Sequence, residues 1–403
     1  MDNKFIKNNI KIAHIAFDSI FIDTAYRSFE RAYPKCNDVF IFTKKPWQFI
    51  KNNDLFIEKS KLETLNPFFS KLLWKYDIIV LHSLANFMIP IVLMPKRAKI
   101  IWLGMGYDYY SRAFSADTLD VGLYLDETRG VIKDGLLPEI NKYSIKSRLI
   151  KVVNRVLGSK ILFRWALNKI DIFSPVLPVE YNMVKNKFNV KSFPKYAPWN
   201  YGNLENDFVR NFMGKRVSGD WILLGNSAGA TNNHLEAISL LSKLDLNSSK
   251  YKIVTPLSYG DNNYAKKIKD YGAANLGESF YPIEKFMPID DYIKLLQKCG
   301  FVIMNHVRQQ AMGNIIIMMY LGAKIFLRSE SAIYTFFKGL GAKIYSVEEL
   351  ELNKELLNSK LELDEIINNR TILASYFSEH ADLIKTKELV ELAISHIDDN
   401  DFK

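Results

Sequence analysis

Trp221-Ile-Leu-Leu-Gly225-Asn226-Ser227-Ala228-Gly229 sets an apolar run directly against a polar, glycine-bearing one. The pattern recurs twice downstream. Tyr251-Lys-Ile-Val runs into Thr255-Pro256-Leu257-Ser258-Tyr259-Gly260, and Phe301-Val-Ile-Met runs into Asn305-His306-Val307-Arg308-Gln309-Gln310, with Gly313-Asn314 just beyond. A helical pattern follows each burst, which is the rhythm of a parallel sheet with crossover helices. In such sheets the carboxyl ends of the strands share one edge, and ligands bind along it. Three polar bursts on that edge converge on one ligand, read here as a nucleotide diphosphate-sugar.

Working outward, 403 residues suit two domains, and 48% apolar content with 13% aromatics supplies two cores. The formal net charge of +10 points to an anionic partner: nucleic acid, a membrane surface or a phosphorylated substrate. Cys36 and Cys299 make neither a disulfide framework nor a metal site. The N-terminus lacks a signal-peptide pattern. Residues 78–95 form the longest charge-free stretch, but His82, Ser83, Asn86 and Pro90 interrupt it, so a cytoplasmic protein without a membrane span is expected.

The first half reads as strands near 11–18, 38–42, 55–57, 77–81 and 99–103, with a late strand at 170–177. Their apolar character is continuous, as expected where helices cover both faces. This describes an α/β, doubly wound N-terminal domain over 1–195, with a helical segment at 111–169. From Lys142 to Lys169 that segment carries eight Lys or Arg interleaved with apolar residues and no acid, a pattern suited to an anionic bilayer surface or to an ordinary solvated helix face. Pro194, Pro198, Gly202, Gly214 and Gly219 place a linker at 196–219. A second doubly wound domain follows over 220–375, with strands starting near 221, 251, 275, 301, 324 and 343. Residues 376–403 form a helical tail that can pack back on the first domain.

Gly225-Asn226-Ser227 precedes a helix start signalled by Thr231-Asn232-Asn233, where free N–H groups favour a phosphate. A tight turn without ligand reads equally well. Arg308 can hold a diphosphate through two parallel hydrogen bonds, His306, Gln309 and Gln310 stand beside it, and Gly313-Asn314 opens a helix toward the same phosphates. Tyr259 suits a base or sugar ring, and Glu284 a ribose hydroxyl or plain solvent. In the first domain, Asp108 follows Trp102-Leu-Gly104-Met-Gly106-Tyr107 at a strand end and precedes Tyr109. It reads as the base for an acceptor hydroxyl, or as a helix N-cap. Trp102, Gly104, Tyr107 and Tyr109 form the acceptor side, and His14, Asp18 and Asp23 are further candidates near the first strand. Asp399-Asn400-Asp401 is a solvated tail, so no metal is expected.

Taken together, Trp102-x-Gly104-x-Gly106-x-Asp108-x-Tyr110, Gly225-Asn226-Ser227 with Asn232-x-His234, Thr255-Pro256-x-x-Tyr259-Gly260 and Arg308-Gln309-Gln310-x-x-Gly313-Asn314 resemble the bacterial 4-acetamido-4,6-dideoxygalactose (Fuc4NAc) transferases, glycosyltransferase family 56. The resemblance implies a GT-B glycosyltransferase with two Rossmann-like domains facing a central cleft. It implies a dTDP-sugar donor in the second domain, with His234 among its contacts, and a polyprenyl diphosphate-linked acceptor in the first. No cofactor is implied beyond the co-substrate. Localisation would be peripheral, on the inner face of the inner membrane, in common-antigen or O-antigen synthesis. The aspartate segment departs from the family's Trp-Gly-x-Asp, which bears on the acceptor. The alternatives are a nucleotide-sugar epimerase of the same architecture, a basic nucleic-acid binder without a recognised motif, and a membrane adaptor.

Overall fold

The computed structural model describes residues 10–52, 54–95, 97–113, 122–132, 159–188, 190–244 and 250–398. The chain divides into two compact units. The first comprises the described residues of Met1–Ala113, Ile140–Gly202 and Glu379–Lys403, and the second those of Phe114–Glu139 and Asn203–Ser378.

In the first unit, β1 (Ile12–Ala16), β2 (Asn37–Ile41), β3 (Ile57–Glu58), β4 (Ile78–His82), β5 (Lys99–Leu103), β6 (Ile172–Ser174) and β7 (Lys195–Tyr196) form one sheet in the order β3-β2-β1-β4-β5-β6-β7. Every pairing is parallel; Ile12 stands opposite both Asn37 and Ile78, and Ile78 opposite Lys99. All residues of β1 and β4 are buried, as their unbroken apolar runs require. Strand order reverses between these two strands, the place where doubly wound sheets take ligands.

The second unit repeats the plan with six parallel strands: β8 (Trp221–Leu224), β9 (Ile253–Pro256), β10 (Phe280–Ile283), β11 (Cys299–Met304), β12 (Lys324–Leu327) and β13 (Tyr345–Ser346), ordered β10-β9-β8-β11-β12-β13. Its switch point lies between β8 and β11. Ile222, Leu224, Ile253, Phe301 and Ile303 meet Leu235, Ile238 and Leu241 of helix His234–Lys243 in the core. The strand expected near 275 is instead the end of helix Asn262–Leu276, and β10 starts at Phe280. Tyr264, Ile268 and Gly272 keep a four-residue spacing along that helix's buried face, and Gly272 leaves room for the Phe280 ring, which a Cβ would meet at 2.4 Å.

The chain passes between units at different points from those expected. Residues 122–132, assigned by sequence to the first domain, belong to the second unit: Thr128 donates from N and Oγ1 to the Glu236 carboxylate at 2.7 and 2.6 Å. Residues 196–219 are no free linker. Tyr196 ends β7, Trp199 is buried in the first core, and Leu204–Phe208, a turn of π-helix, packs on the second unit through Phe208 against Phe377. Helix Glu379–Asp398 belongs to the first unit. Its Leu389, Val390 and Ala393 are fully buried, Arg31 pairs with Glu379 and Asp382, and Trp199 Nε1 donates to Thr386 Oγ1 at 3.0 Å. Most of the basic segment, 142–158, and the Asp399–Asp401 tail lie outside the described residues. No described helix is long and apolar enough to cross a membrane.

Because Leu389 fills a closed core, Leu389→Ala is expected to cost about 2–5 kcal/mol of stability. Urea unfolding followed by tryptophan fluorescence checks this.

Candidate functional site

The polar bursts after β8, β9 and β11 meet in one hydrogen-bonded chain. Thr231 Oγ1 donates to Gln310 Oε1 at 2.7 Å, Gln310 Nε2 to Asn226 Oδ1 at 2.9 Å, and Asn226 Nδ2 to the Tyr259 hydroxyl at 2.9 Å. Each amide is thereby oriented, and the Tyr259 oxygen accepts, leaving its own proton to donate. Tyr259 exposes more than half its surface.

Glycine makes this convergence possible. The loops after β8 and β9 join by a backbone bridge, with Ala228 N donating to Tyr259 O at 2.8 Å and Asp261 N to Ala228 O at 2.9 Å. Gly260 has φ +121°, and a Cβ there would lie 2.6 Å from the Ala228 carbonyl. Gly225, at φ +66°, lies against the His234 ring, whose Nε2 a Cβ would meet at 2.6 Å. Asn232 holds the intervening loop, accepting from Asn226 N and donating to Ser227 O and Gly229 O.

Two helices start at this edge. His234–Lys243 follows Asn233 at φ +49°, and Met312–Tyr320 follows Ala311 at φ +61°; neither has a side-chain cap. Their first N–H groups favour an anion. Gly313 and Asn314 lie in the first turn of the second helix, and Asn314 reaches the Tyr292 hydroxyl. Gln309 and Ser227 are buried. His306 is buried with both ring nitrogens lacking a hydrogen-bond partner, as are His234 Nε2 and Asn305 Oδ1. Burial, then the Arg308 charge, holds the His306 pKa down to about 3, so the ring stays neutral and offers one donor and one acceptor. Asn233 reads from sequence only as part of a helix start. It is fully buried, tying Asn305 to the 123–125 segment through Asn305 O, Leu123 O and Leu125 N. The Asn232-Asn233 pair carried a signal for it, since asparagine tolerates the left-handed conformation. Glu284 stands apart: it pairs with Lys269 at 2.7 Å in solvent.

The first-unit candidates are committed to structure. Asp108 is buried and accepts from Leu84 N at 2.8 Å, Trp102 Nε1 at 2.8 Å and Met105 N at 3.0 Å. Burial raises its pKa, these donors oppose the rise, and the carboxylate knits the ends of β4 and β5 together rather than facing an acceptor. Trp102 and Tyr109 are fully buried, Trp102 stacked on Phe173 at 4.1 Å and Tyr109 donating to Glu180 at 2.9 Å, so neither presents a face to sugar. Gly104 is small to admit Tyr109, whose ring a Cβ would meet at 2.6 Å. Tyr107 keeps an exposed ring while its hydroxyl donates to Ser83. Asp18 accepts from the N–H groups of Gln48, Phe49 and Ile50, and Asp23 from Lys51 N and Asn52 Nδ2; both shape one loop. His14 sits in a buried relay whose proton order follows from Asn37. That amide donates to Glu30 and Tyr33 O, so its oxygen accepts from His14 Nε2 at 3.2 Å. His14 Nδ1 therefore accepts from His82 Nε2, and His82 Nδ1 from the Tyr201 hydroxyl, each at 3.0 Å. Among the described residues no group of three or more His, Cys, Asp or Glu could hold a metal ion.

Two outcomes follow from these environments. Asp108→Asn puts an amide among N–H donors and is expected to lower stability by about 1–3 kcal/mol, measured by urea unfolding. Burial lowers the pKa of His14 to about 4 and of His234 and His306 to about 3, against 6.5 in the unfolded chain. Below pH 6.5 the unfolded chain therefore binds protons that the native chain refuses. Stability is complete above that pH and is lost progressively toward pH 3–4, which urea midpoints across this range will report.

Residues 205–370, which contain most of this site, match the model of the family described as 4-alpha-L-fucosyltransferase glycosyl transferase group 56. Solved structures similar to the chain include a glycosyltransferase from Rickettsia africae, 13% identical, with TM-score 0.60 over 96% of this chain and 99% of that one. Anabaena HepE in complex with UDP-glucose is 10% identical, with TM-score 0.60 over 94% and 99%. The apo lipopolysaccharide outer core galactosyltransferase WaaB is 11% identical, with TM-score 0.58 over 96% and 99%. At such identities these likenesses establish the fold, and the family match supplies the activity class. The protein is a glycosyltransferase of GT-B architecture, with the group 56 match carried by its second unit.

Proposed function

We propose that the protein transfers a 4-acetamido-4,6-dideoxyhexose from a dTDP-sugar to a polyprenyl diphosphate-linked oligosaccharide in bacterial surface polysaccharide synthesis, of the common-antigen or O-antigen kind. The observation that carries the donor half is the Thr231–Gln310–Asn226–Tyr259 chain at the second unit's switch point, beside Arg308 and two uncapped helix starts. The diphosphate lies against those helix starts with Arg308 as its cation, and His306 fills its hydrogen-bonding capacity on the donor. Tyr259 offers its ring to the base or sugar. HepE, whose complex contains UDP-glucose, supports a nucleotide diphosphate-sugar as the ligand class.

The chemistry this arrangement favours is departure of the nucleoside diphosphate. Negative charge grows on the leaving phosphate oxygen as the glycosidic bond breaks. The Arg308 guanidinium and the helix N–H groups stabilise that charge. The acceptor hydroxyl loses its proton to a group other than Asp108, whose oxygens are taken by three N–H donors. A lipid-linked acceptor places the protein at the inner face of the inner membrane. Lys160, Arg164 and Lys169, the described cations of the basic segment, are all exposed and support contact with an anionic surface there.

Loss of one charge-assisted contact costs about 1.5–3 kcal/mol, so Arg308→Ala is expected to weaken dTDP binding about 10- to 100-fold. Gln310→Ala, which leaves Asn226 unoriented, should weaken it less. Calorimetric titration with dTDP, UDP and ADP tests both, and unchanged affinity in Arg308→Ala removes that residue from the site. Hydrolysis or epimerisation of the dTDP-sugar at full rate without any acceptor would displace transfer as the reaction.

A further inference from the structure

We propose that residues 61–75 of the first unit form a docking face for an anionic lipid bilayer, separate from the basic segment at 142–169. The local geometry turns apolar side chains outward in register. Lys61–Leu65 is a 3₁₀-helix, capped by Ser60 and Glu63 in a reciprocal box, and its three-residue turn puts Leu62 and Leu65 on one side. Pro67–Leu72 is a short α-helix capped by Asn66, and its four-residue spacing does the same for Phe68 and Leu72. The inward positions are filled by Thr64, Phe69 and Leu73, which are buried, so the outward residues are surplus to the core. Leu62 is 73% exposed, Phe68 81% and Trp74 52%, with Leu65 and Leu72 also exposed.

Five large apolar side chains exposed within thirteen residues exceed the single scattered ones a folded surface normally carries. The composition of this face points to a lipid interface. Trp74 donates its indole N–H to Pro95 O at 2.9 Å and leaves the ring outward, the amphipathic use of tryptophan at headgroup depth. Lys61, Lys71 and Lys75 surround the apolar residues with exposed cations, while Glu63, the one acid between Lys59 and Lys75, is engaged by the Ser60 N–H and Lys59. An apolar patch rimmed by cations complements an anionic headgroup layer over acyl chains.

A second exposed element, within the basic segment, lies one buried helix away. Helix Ile89–Leu93 packs against both Lys61–Leu65 and helix Lys160–Leu167. On the latter, Ile161 and Trp165 are exposed between Lys160 and Arg164. The same first unit thus turns two neighbouring elements outward with the same chemistry, which would hold it at a membrane carrying a lipid-linked acceptor. The inference rests on that acceptor class, but its test does not use the sugar.

The test is co-sedimentation of the full chain with phosphatidylcholine vesicles, with and without phosphatidylglycerol. Wild-type protein is expected to bind the anionic vesicles and to release as salt rises. Leu62→Gln with Phe68→Gln should lower partition at least tenfold without changing thermal unfolding, since both side chains are in solvent. Lys61→Glu with Lys71→Glu should abolish the preference for phosphatidylglycerol. Unchanged partition in the Leu62→Gln/Phe68→Gln variant overturns the proposal. So does a change confined to concentration-dependent self-association in sedimentation velocity, which would make the face a contact between copies of this chain. In each variant dTDP titration should match wild type. A loss of dTDP binding by wild-type protein, with vesicle binding intact, would count against the donor reading and leave the docking face standing.

Discussion

Much of the second unit's polar chemistry depends on two backbones meeting where a side chain would keep them apart. Strands in a twisted parallel sheet splay as they leave it, so loops after neighbouring strands diverge unless something draws them together. Here Ala228 does so through two hydrogen bonds, donating to Tyr259 O at 2.8 Å and accepting from Asp261 N at 2.9 Å, and the missing side chain at Gly260 between those residues is the condition for both. Asn226 and Tyr259 flank that bridge on their own strands' loops, and their contact follows from it. Gln310 then joins from β11, with Thr231 fixing its amide from the far side. The order of donors is set by geometry, because each amide has one oxygen and one nitrogen to use.

The first unit spends its acidic groups differently. Asp18, Asp23 and Asp108 together accept eight described hydrogen bonds, seven of them from backbone N–H groups or an indole near strand ends and one from an asparagine amide. Loops that leave a parallel sheet carry backbone donors with no ladder partner, and a carboxylate satisfies several at once. The relay from Tyr201 through His82 and His14 to Asn37 serves a similar purpose with neutral groups. It crosses β4, β1 and β2 while leaving each of its ring nitrogens paired. These are rigid supports, and they hold the exposed elements of that unit in place.

What the sequence made legible is what depends on local order. An apolar run ending in Gly-Asn-Ser or Asn-His-Val-Arg names a strand and its carboxyl end, and with β8, β9 and β11 parallel, the three ends had to share an edge. Asp108 illustrates the limit. An aspartate after Gly106 and before a run of tyrosines has the same appearance whether it faces solvent or three N–H groups, and one of those donors, Leu84 N, lies 24 residues away. Trp102 and Tyr109 misled for the same reason, since an aromatic stripe reads alike whether it stacks on sugar or on Phe173. The passage of residues 122–132 into the second unit was invisible because Thr128 finds its partner, Glu236, 108 positions downstream. The strand expected near 275 failed because helix Asn262–Leu276 runs on to within a few residues of β10, and its closing Ala-Ala-Asn-Leu carries no breaker before Gly277.

The unequal pairing of buried histidines in the two units bears on function more than any single residue. A buried donor or acceptor without a partner costs about 1–3 kcal/mol, and folded chains seldom keep several together. Yet His306 keeps both ring nitrogens unpaired, with Asn305 Oδ1 next in sequence and His234 Nε2 on the neighbouring helix. His234 also lowers the His306 pKa, so the two rings are close enough to feel each other's charge. In the first unit, by contrast, His14 and His82 have found partners for all four nitrogens. Apolar replacements would remove the cost in the second unit, and on the donor reading proposed above these histidines make the missing bonds to the ligand. They lie at the strand ends where Arg308 and two helix starts supply positive potential, and a neutral imidazole there can donate to a diphosphate-sugar without adding charge of its own.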